Sequence, residues 1–250
     1  MRNTKLEIKR KMRCIICVSL IFNLQSSIFN LAQAQQPLLD STQMPNAVNF
    51  LPPPPDTASA AFQYDKSQYF WGLEQRKDTE RRDIAISDAV WSVENTCIIF
   101  SEVLGIKITP ENTPAIYKML GVGVMTADQA GIIPKEHYMR TRPYIFFGEP
   151  TLVPEDEEEL SHNGSYPSGH TILGWSAALL LTEVAPEMAD KILAVGYRYG
   201  ESRVIAGFHW QSDVNAGYLV ASAAVARLHA DKEFLQLMEA AKEEFEKLTK

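Results

Sequence analysis

The sequence predicts an all-α protein, a single-domain helical bundle built around one central apolar helix. Three observations predict it. Thr171 to Val184 is apolar nearly all round, as a helix covered on every side must be. Asp231 to Lys250 repeats its apolar residues with a helical period, so that Phe234, Leu237, Met238, Ala241, Phe245 and Leu248 share one face. No stretch of useful length alternates apolar and polar residues, and no hairpin signal stands between apolar runs. At 250 residues, 46% of them hydrophobic, the chain can bury a full core.

Residues 1–34 read as a secretory signal. Arg2, Lys5, Lys9, Arg10, Lys11 and Arg13 form a basic head, and Cys14 to Leu24 is an apolar run too short to span a bilayer as a helix. Ala32-Gln33-Ala34 fits a cleavage site, so the mature chain is expected to start at Gln35, in the periplasm or outside the cell. An uncleaved anchor is the alternative; Asn23, Gln25, Ser26 and Ser27 interrupt the run it would need. Removing the segment takes away six basic residues and one acid, which moves the net charge from −7 to −12. So acidic a chain is a poor general binder of nucleic acid or of an anionic membrane, and any cationic site must be local.

Residues 35–56 are polar and proline-rich and are expected to form an extended arm rather than a domain. The remaining domain covers residues 57–250. Its first helix is expected over Ser59 to Gln75, its second as one element from Asp83 to Leu104 with Gly105 as the stop, and a short third from Asn112-Thr113-Pro114 to Leu120. Cys97 is the only cysteine after residue 34, so no intramolecular disulfide can form; it reads as a small buried apolar residue. A cysteine phosphatase would want an arginine six positions later, where Val103 stands. The acidic run Glu155 to Glu159 reads as a solvated loop, Trp175 and Trp210 as core, and His137, His162 and His229 as surface or packing residues.

Three separated pieces carry chemistry. The first is Lys135 followed by Arg142-Pro143. Seven residues are two helical turns, about 10.5 Å along one face, and Pro143 ends the element. Both cations are therefore expected from one helix end, Arg142 as a planar fork and Lys135 as a point charge. The second is Pro167-Ser168-Gly169-His170 at the start of the apolar helix. A hydroxyl, a glycine and unpaired backbone N–H groups at a helix start make a seat for an oxyanion. The third is Ser202-Arg203, then His209, then Asp213. His209 and Asp213 stand four apart and are expected on one helix face, where a carboxylate on one ring nitrogen leaves the other bare and nucleophilic.

Lys-x6-Arg-Pro, Pro-Ser-Gly-His and Ser-Arg-x5-His-x3-Asp, in this order, resemble the three-part signature of the type 2 phosphatidic acid phosphatase superfamily, shared with vanadium haloperoxidases. Gly164 to Thr171 is similar to the narrower signature of bacterial class A nonspecific acid phosphatases, and Leu51-Pro52-Pro53-Pro54-Pro55 resembles the start of that family's mature chains. The likeness covers about residues 48–248. It implies homodimers or higher assemblies.

The roles implied are specific. Lys135, Arg142, Arg203, the Ser168 hydroxyl and the Gly169 N–H would hold the phosphoryl oxygens of a small phosphate ester. His209 would attack phosphorus, Asp213 would orient it, and His170 would protonate the leaving alcohol and then activate water. Three side-chain cations supply the charge stabilisation that phosphoryl transfer asks for, so no metal or other cofactor is expected. A two-histidine-one-carboxylate metal triad of His170, His209 and Asp213 is the rival reading, and the same cations would repel its ion. A haloperoxidase would seat vanadate on the same residues, though such relatives are generally larger. An oxyanion-binding module would not need the paired histidines. A membrane lipid phosphatase would need clean spanning helices, and none is legible after residue 34. Between a monoesterase and an apyrase-like hydrolase of nucleoside di- and triphosphates, the residues do not choose.

Overall fold

Ser59, Asp78 and Ser92 each place a side-chain oxygen on the open N–H groups of a helix start, and these caps divide the first part of the domain. They open α1 (Ala60–Gln75), α2 (Thr79–Ser87) and α3 (Val93–Leu104) in a computed structural model that describes residues 36–250. The expected signal segment and its cleavage site lie outside the described residues. There follow α4 (Pro114–Tyr138), α5 (Pro143–Phe147), α6 (Glu157–Ser161), α7 (Gly169–Val184), α8 (Ala189–Ile205), α9 (Gln211–Leu228) and α10 (Lys232–Thr249). Among the described residues there is no strand, and no helix is long and apolar enough to cross a membrane. The fold is all-α in one domain.

The apolar helix α7 packs against α8, α9, α4 and α10, and only four of its sixteen residues escape full burial. Leu173, Ala177, Leu180 and Leu181 meet Phe100, Leu120, Tyr199 and Phe234 in the main core. This packing clamps the helix that starts at Gly169, so its N-terminus is held by the core rather than by a loop. Residues 36–56 lie against the other side. Leu39, Met44 and Ala47 bury with Ala127, Ile172 and Val220, and the Leu38 N–H donates to Thr126 Oγ1 at 2.8 Å.

Three expectations about elements need correction. Asp83 to Leu104 is not one helix: α2 ends at Ser87 and α3 starts after Ser92. Ser92 Oγ accepts the Asn95 N–H at 2.9 Å, and the buried Asp88 carboxylate accepts from Ser202 Oγ at 2.6 Å and from Arg198 at 3.4 Å. A cap on one side and a carboxylate drawn into α8 on the other favour a turn over a continuous helix. The helix starting at Pro114 does not stop at Leu120 but runs to Tyr138. Gly121 and Gly123 do not end it, because burial against the core offsets their low helix propensity; a Cβ on Gly123 would collide with the Leu180 side chain. The acidic run is also not merely a solvated loop. It holds α6, and Glu157 Oε1 accepts the Thr151 N–H at 2.7 Å while its carbonyl accepts from Tyr144 at 2.7 Å.

Candidate active site

A cavity of about 740 Å³ opens where the start of α7, the ends of α4 and α8, the α8–α9 loop and the α2–α3 turn come together. Lys135, Arg142, Arg203, Gly169, His170 and His209 all line it. Residues spread over 75 positions of chain thus face one space. Ser168 and Asp213 sit immediately behind this wall, both fully buried.

Each side chain arrives by a local device. Lys135 and Arg142 do not share a helix, contrary to the reading from their spacing. α4 ends at Tyr138, Met139 turns the chain with φ 41°, and Arg142 is the extended residue before α5, with Pro143 fixing the first position of that helix. The chain reverses between the two cations, which lets them meet from different directions. Gly164 makes the reversal possible, since a Cβ there would run into the Lys135 carbonyl. Arg203 closes α8, and Gly207, at φ 85°, turns the chain so that His209 comes back beside it. His209 is not on a helix either. Trp210 is the cap of α9, and its N–H donates to Asp213 Oδ2 at 2.8 Å. The cap brings Asp213 under the imidazole, with 3.5 Å between His209 Nδ1 and Asp213 Oδ2.

The tautomers follow from the partners. Arg142 can only donate, and its Nη1 lies 3.1 Å from His209 Nε2, so Nε2 carries the lone pair and Nδ1 the hydrogen. Nδ1 faces Asp213 and also Ser165 Oγ at 3.3 Å, and that hydroxyl donates its own hydrogen to Asp213 Oδ2 at 2.5 Å. His170 is the opposite case. Its Nε2 lies 2.9 Å from the Ala89 carbonyl, which only accepts, so Nε2 holds the hydrogen and Nδ1 is the basic atom. Burial, and then nearby cations, hold both imidazoles well below the usual histidine range: Arg203 acts most on His170, Arg142 and Lys135 on His209.

The cations are differently satisfied. Arg142 donates through Nε to the Leu160 and Asn163 carbonyls at 2.8 and 3.1 Å, and through Nη1 to the Phe208 carbonyl at 3.2 Å. Lys135 Nζ donates to the Gly164 carbonyl at 3.0 Å, and burial pulls its ammonium down. Arg203 has no exposed surface, and none of its three guanidinium nitrogens has a hydrogen-bond partner among the described residues. Its guanidinium lies 4.6 Å above the Phe208 ring, and burial lowers its pKa to about 9. A buried guanidinium without a hydrogen-bond partner, on the wall of a cavity, is suited to receive an anion. Ser168 Oγ caps α7, accepting from the Thr171 N–H at 3.3 Å and the Thr171 hydroxyl at 2.9 Å, and its own hydrogen remains to donate.

Several residues here were not legible in the sequence. Arg140 donates to both Asp213 and Asp65, the latter at 2.7 Å, and to Ser212 Oγ at 2.7 Å. Asp65, on α1, also accepts the Ser212 N–H at 2.8 Å and its hydroxyl at 2.6 Å. The carboxylate behind His209 is thus anchored through an arginine to another helix. Ser165, inside the Gly164–Thr171 stretch, was the available signal; Asp65 had none. Trp91 is the tryptophan on the cavity wall, with its ring 4.7 Å from that of His170. Trp210 is buried with Phe62 and Tyr69. Asp128, two helical turns before Lys135, also faces the cavity, and burial pushes its carboxyl up. Among the described residues, no group of three His, Cys, Asp or Glu side chains is placed to hold a metal ion.

Fold and site together are those of a helical phosphatase. Residues 116–234 match the model of the PAP2 superfamily. The chain is 46% identical over 213 residues to a non-specific acid phosphatase of Providencia stuartii, spanning 85% of this chain and 86% of that one. It is 43% identical to the non-specific acid phosphatase of Salmonella typhimurium, over 85% of each chain. It is 36% identical to an acid phosphatase of Zymomonas mobilis, over 79% of this chain and 75% of that one. The chain belongs to the PAP2 superfamily, as an acid phosphatase of the class A non-specific kind.

Proposed function

We propose that this phosphatase is exported after cleavage behind Ala34 and hydrolyses small phosphate monoesters through a phosphohistidine at His209, without a metal. The observation that carries the proposal is the orientation of His209: Nε2 lies against Arg142 on the cavity wall while Nδ1 turns to Asp213 and Ser165. That orientation leaves Nε2 as the nucleophile and lets Asp213 support the imidazolium that forms. Arg203, Arg142 and Lys135, with the Ser168 hydroxyl and the Gly169 N–H, would hold the phosphoryl oxygens.

His170 would supply the leaving-group proton through Nδ1, since Nε2 is committed to Ala89. In the free enzyme its neighbours favour the neutral ring. A bound phosphate dianion offsets Arg203 and Arg142, so His170 takes up its proton together with the substrate. After the alcohol leaves, the same nitrogen accepts a proton from water as it attacks the phosphohistidine. The acid phosphatase names of the relatives favour this monoesterase over the nucleoside di- and triphosphate reading. The same likeness underlies the homodimer or higher assembly.

Two measurements test the proposal. Quenching turnover of a labelled monoester and mapping the label by mass spectrometry should place phosphate on the peptide with His209; label on His170 or Ser168 would overturn the assignment. Activity should persist in EDTA, and a complete loss restored by zinc or magnesium would refute the cation-only mechanism.

A further inference from the structure

The mouth of the cavity has two unlike walls. One is apolar: Ile86, Val90 and Trp91 line it, and each keeps more than a third of its surface exposed. Trp91 stands edge-on to His170, so this wall flanks the path that a leaving group protonated by His170 would take. The other wall is the segment from Val153 to Asn163. It brings Glu155, Asp156 and Glu159 to the cavity, and of these three Asp156 is near enough to Arg203 to be favoured by its charge. The segment is fixed to the site itself, because the Leu160 and Asn163 carbonyls accept from Arg142 Nε. The floor between the walls holds the unpartnered, fully buried guanidinium of Arg203. The site is therefore polar in a functional sense, with cations where the phosphoryl group sits and carboxylates where the rest of the substrate emerges.

We propose that this acidic wall, facing Trp91, makes the enzyme select its substrates by the charge of the leaving group: monoesters of cationic amino alcohols are preferred, neutral alcohols come next, and esters bearing a second anionic group are disfavoured. The preferred class is that of choline or ethanolamine phosphate. The proposal rests on the phosphomonoesterase reading above. It follows from two attractions and one repulsion. An ammonium group gains from the carboxylates and from the exposed ring of Trp91. A second phosphate or a carboxylate meets the same carboxylates with the opposite sign. The phosphoryl group, which Lys135, Arg142 and Arg203 would hold, is common to all these esters, so its own interaction with the carboxylates does not enter the comparison.

The scale is modest because the wall is solvated. Two unit charges about 10 Å apart in water interact enough to change a rate constant about twofold, so two carboxylates give about fourfold at low ionic strength. The effect should shrink as the screening length falls to about 3 Å at 1 M salt.

The test uses three monoesters of similar size: choline phosphate, its neutral isostere 3,3-dimethylbutyl phosphate, and 3-carboxypropyl phosphate. For the intact enzyme at low salt, kcat/KM should fall in that order, by roughly fourfold at each step. The double variant Glu155→Gln/Glu159→Gln removes two exposed carboxylates outside the phosphoryl-binding set. It should bring the other two towards the neutral ester, apart from any change in rate common to all three. Equal kcat/KM for all three esters in the intact enzyme would overturn the proposal, as would a spread that is undiminished in the double variant. Failure of the underlying reading is recognised separately: the neutral ester would not be turned over at all, or would still be turned over by His209→Ala.

Discussion

Replacing Arg203 by methionine should make the resting protein more stable and the enzyme nearly inactive. Arg203 is fully buried with three unpartnered nitrogens, and its pKa is lowered to about 9 by burial. A cation whose folded-state pKa lies below its unfolded value costs stability at every pH below the folded value, so the cost is fully present at neutral pH. Exchanging a poorly compensated buried ion for an apolar side chain of similar volume stabilises by about 1–4 kcal/mol. The lost guanidinium contact with Phe208 removes about 0.5–2 kcal/mol, and a sulfur–ring contact from methionine restores about 0.3–1.5 kcal/mol. The net gain is about 1–3 kcal/mol, which at this chain length raises Tm by roughly 2–12 °C.

Activity should move the other way. Loss of one preorganised donor to a developing oxyanion costs about 10²–10³ in kcat. Calorimetry with and without inorganic phosphate separates the two effects. The unaltered protein should gain about 2.7 kcal/mol when phosphate is at a hundred times its Kd, and the variant should gain much less at the same concentration. The reasoning is refuted if the variant melts below the unaltered protein in phosphate-free buffer, or if phosphate raises both melting temperatures equally.

Three further outcomes are expected. Arg140→Met leaves Asp65 and Asp213 without their shared cation, so urea unfolding should show a loss of about 3–5 kcal/mol; unchanged stability would mean that the buried pair is solvated. His170 and His209 both have folded-state pKa values depressed by burial and cations. The unfolded chain binds more protons below its own value near ~6.5, so stability should fall as pH drops through that window. The fall should be shallower with phosphate present, and a stability flat between pH 7 and 5 would contradict it. Native protein from the periplasm or medium should begin at Gln35, which N-terminal mass spectrometry reads directly.

Much of this protein is legible in one dimension. The apolar run after His170 announced its own burial, and the spacing of Ser202-Arg203, His209 and Asp213 announced a shared purpose. Local chemistry is enough for such signals, because a helix start seats an anion wherever the helix lies and an all-apolar helix must be covered. Boundaries were less legible. Asp88 ends α2 because its carboxylate is drawn to Ser202, 114 residues away, and no local propensity carries that information.

The residue types of the site, the helical class and the family likeness are all written along the chain. Tertiary structure alone decided how the residues meet. Lys135 and Arg142 converge across a chain reversal rather than along one helix, and His209 reaches Asp213 from a loop around a helix cap. Only the fold could reveal that Arg140 ties Asp213 to Asp65 on α1, that Trp91 stands beside His170, and that Glu155, Asp156 and Glu159 face the cavity. The physical reason is common to all three. Spacing along a chain constrains neighbours within a few residues, whereas a partner across the bundle is chosen by the packing of the whole core.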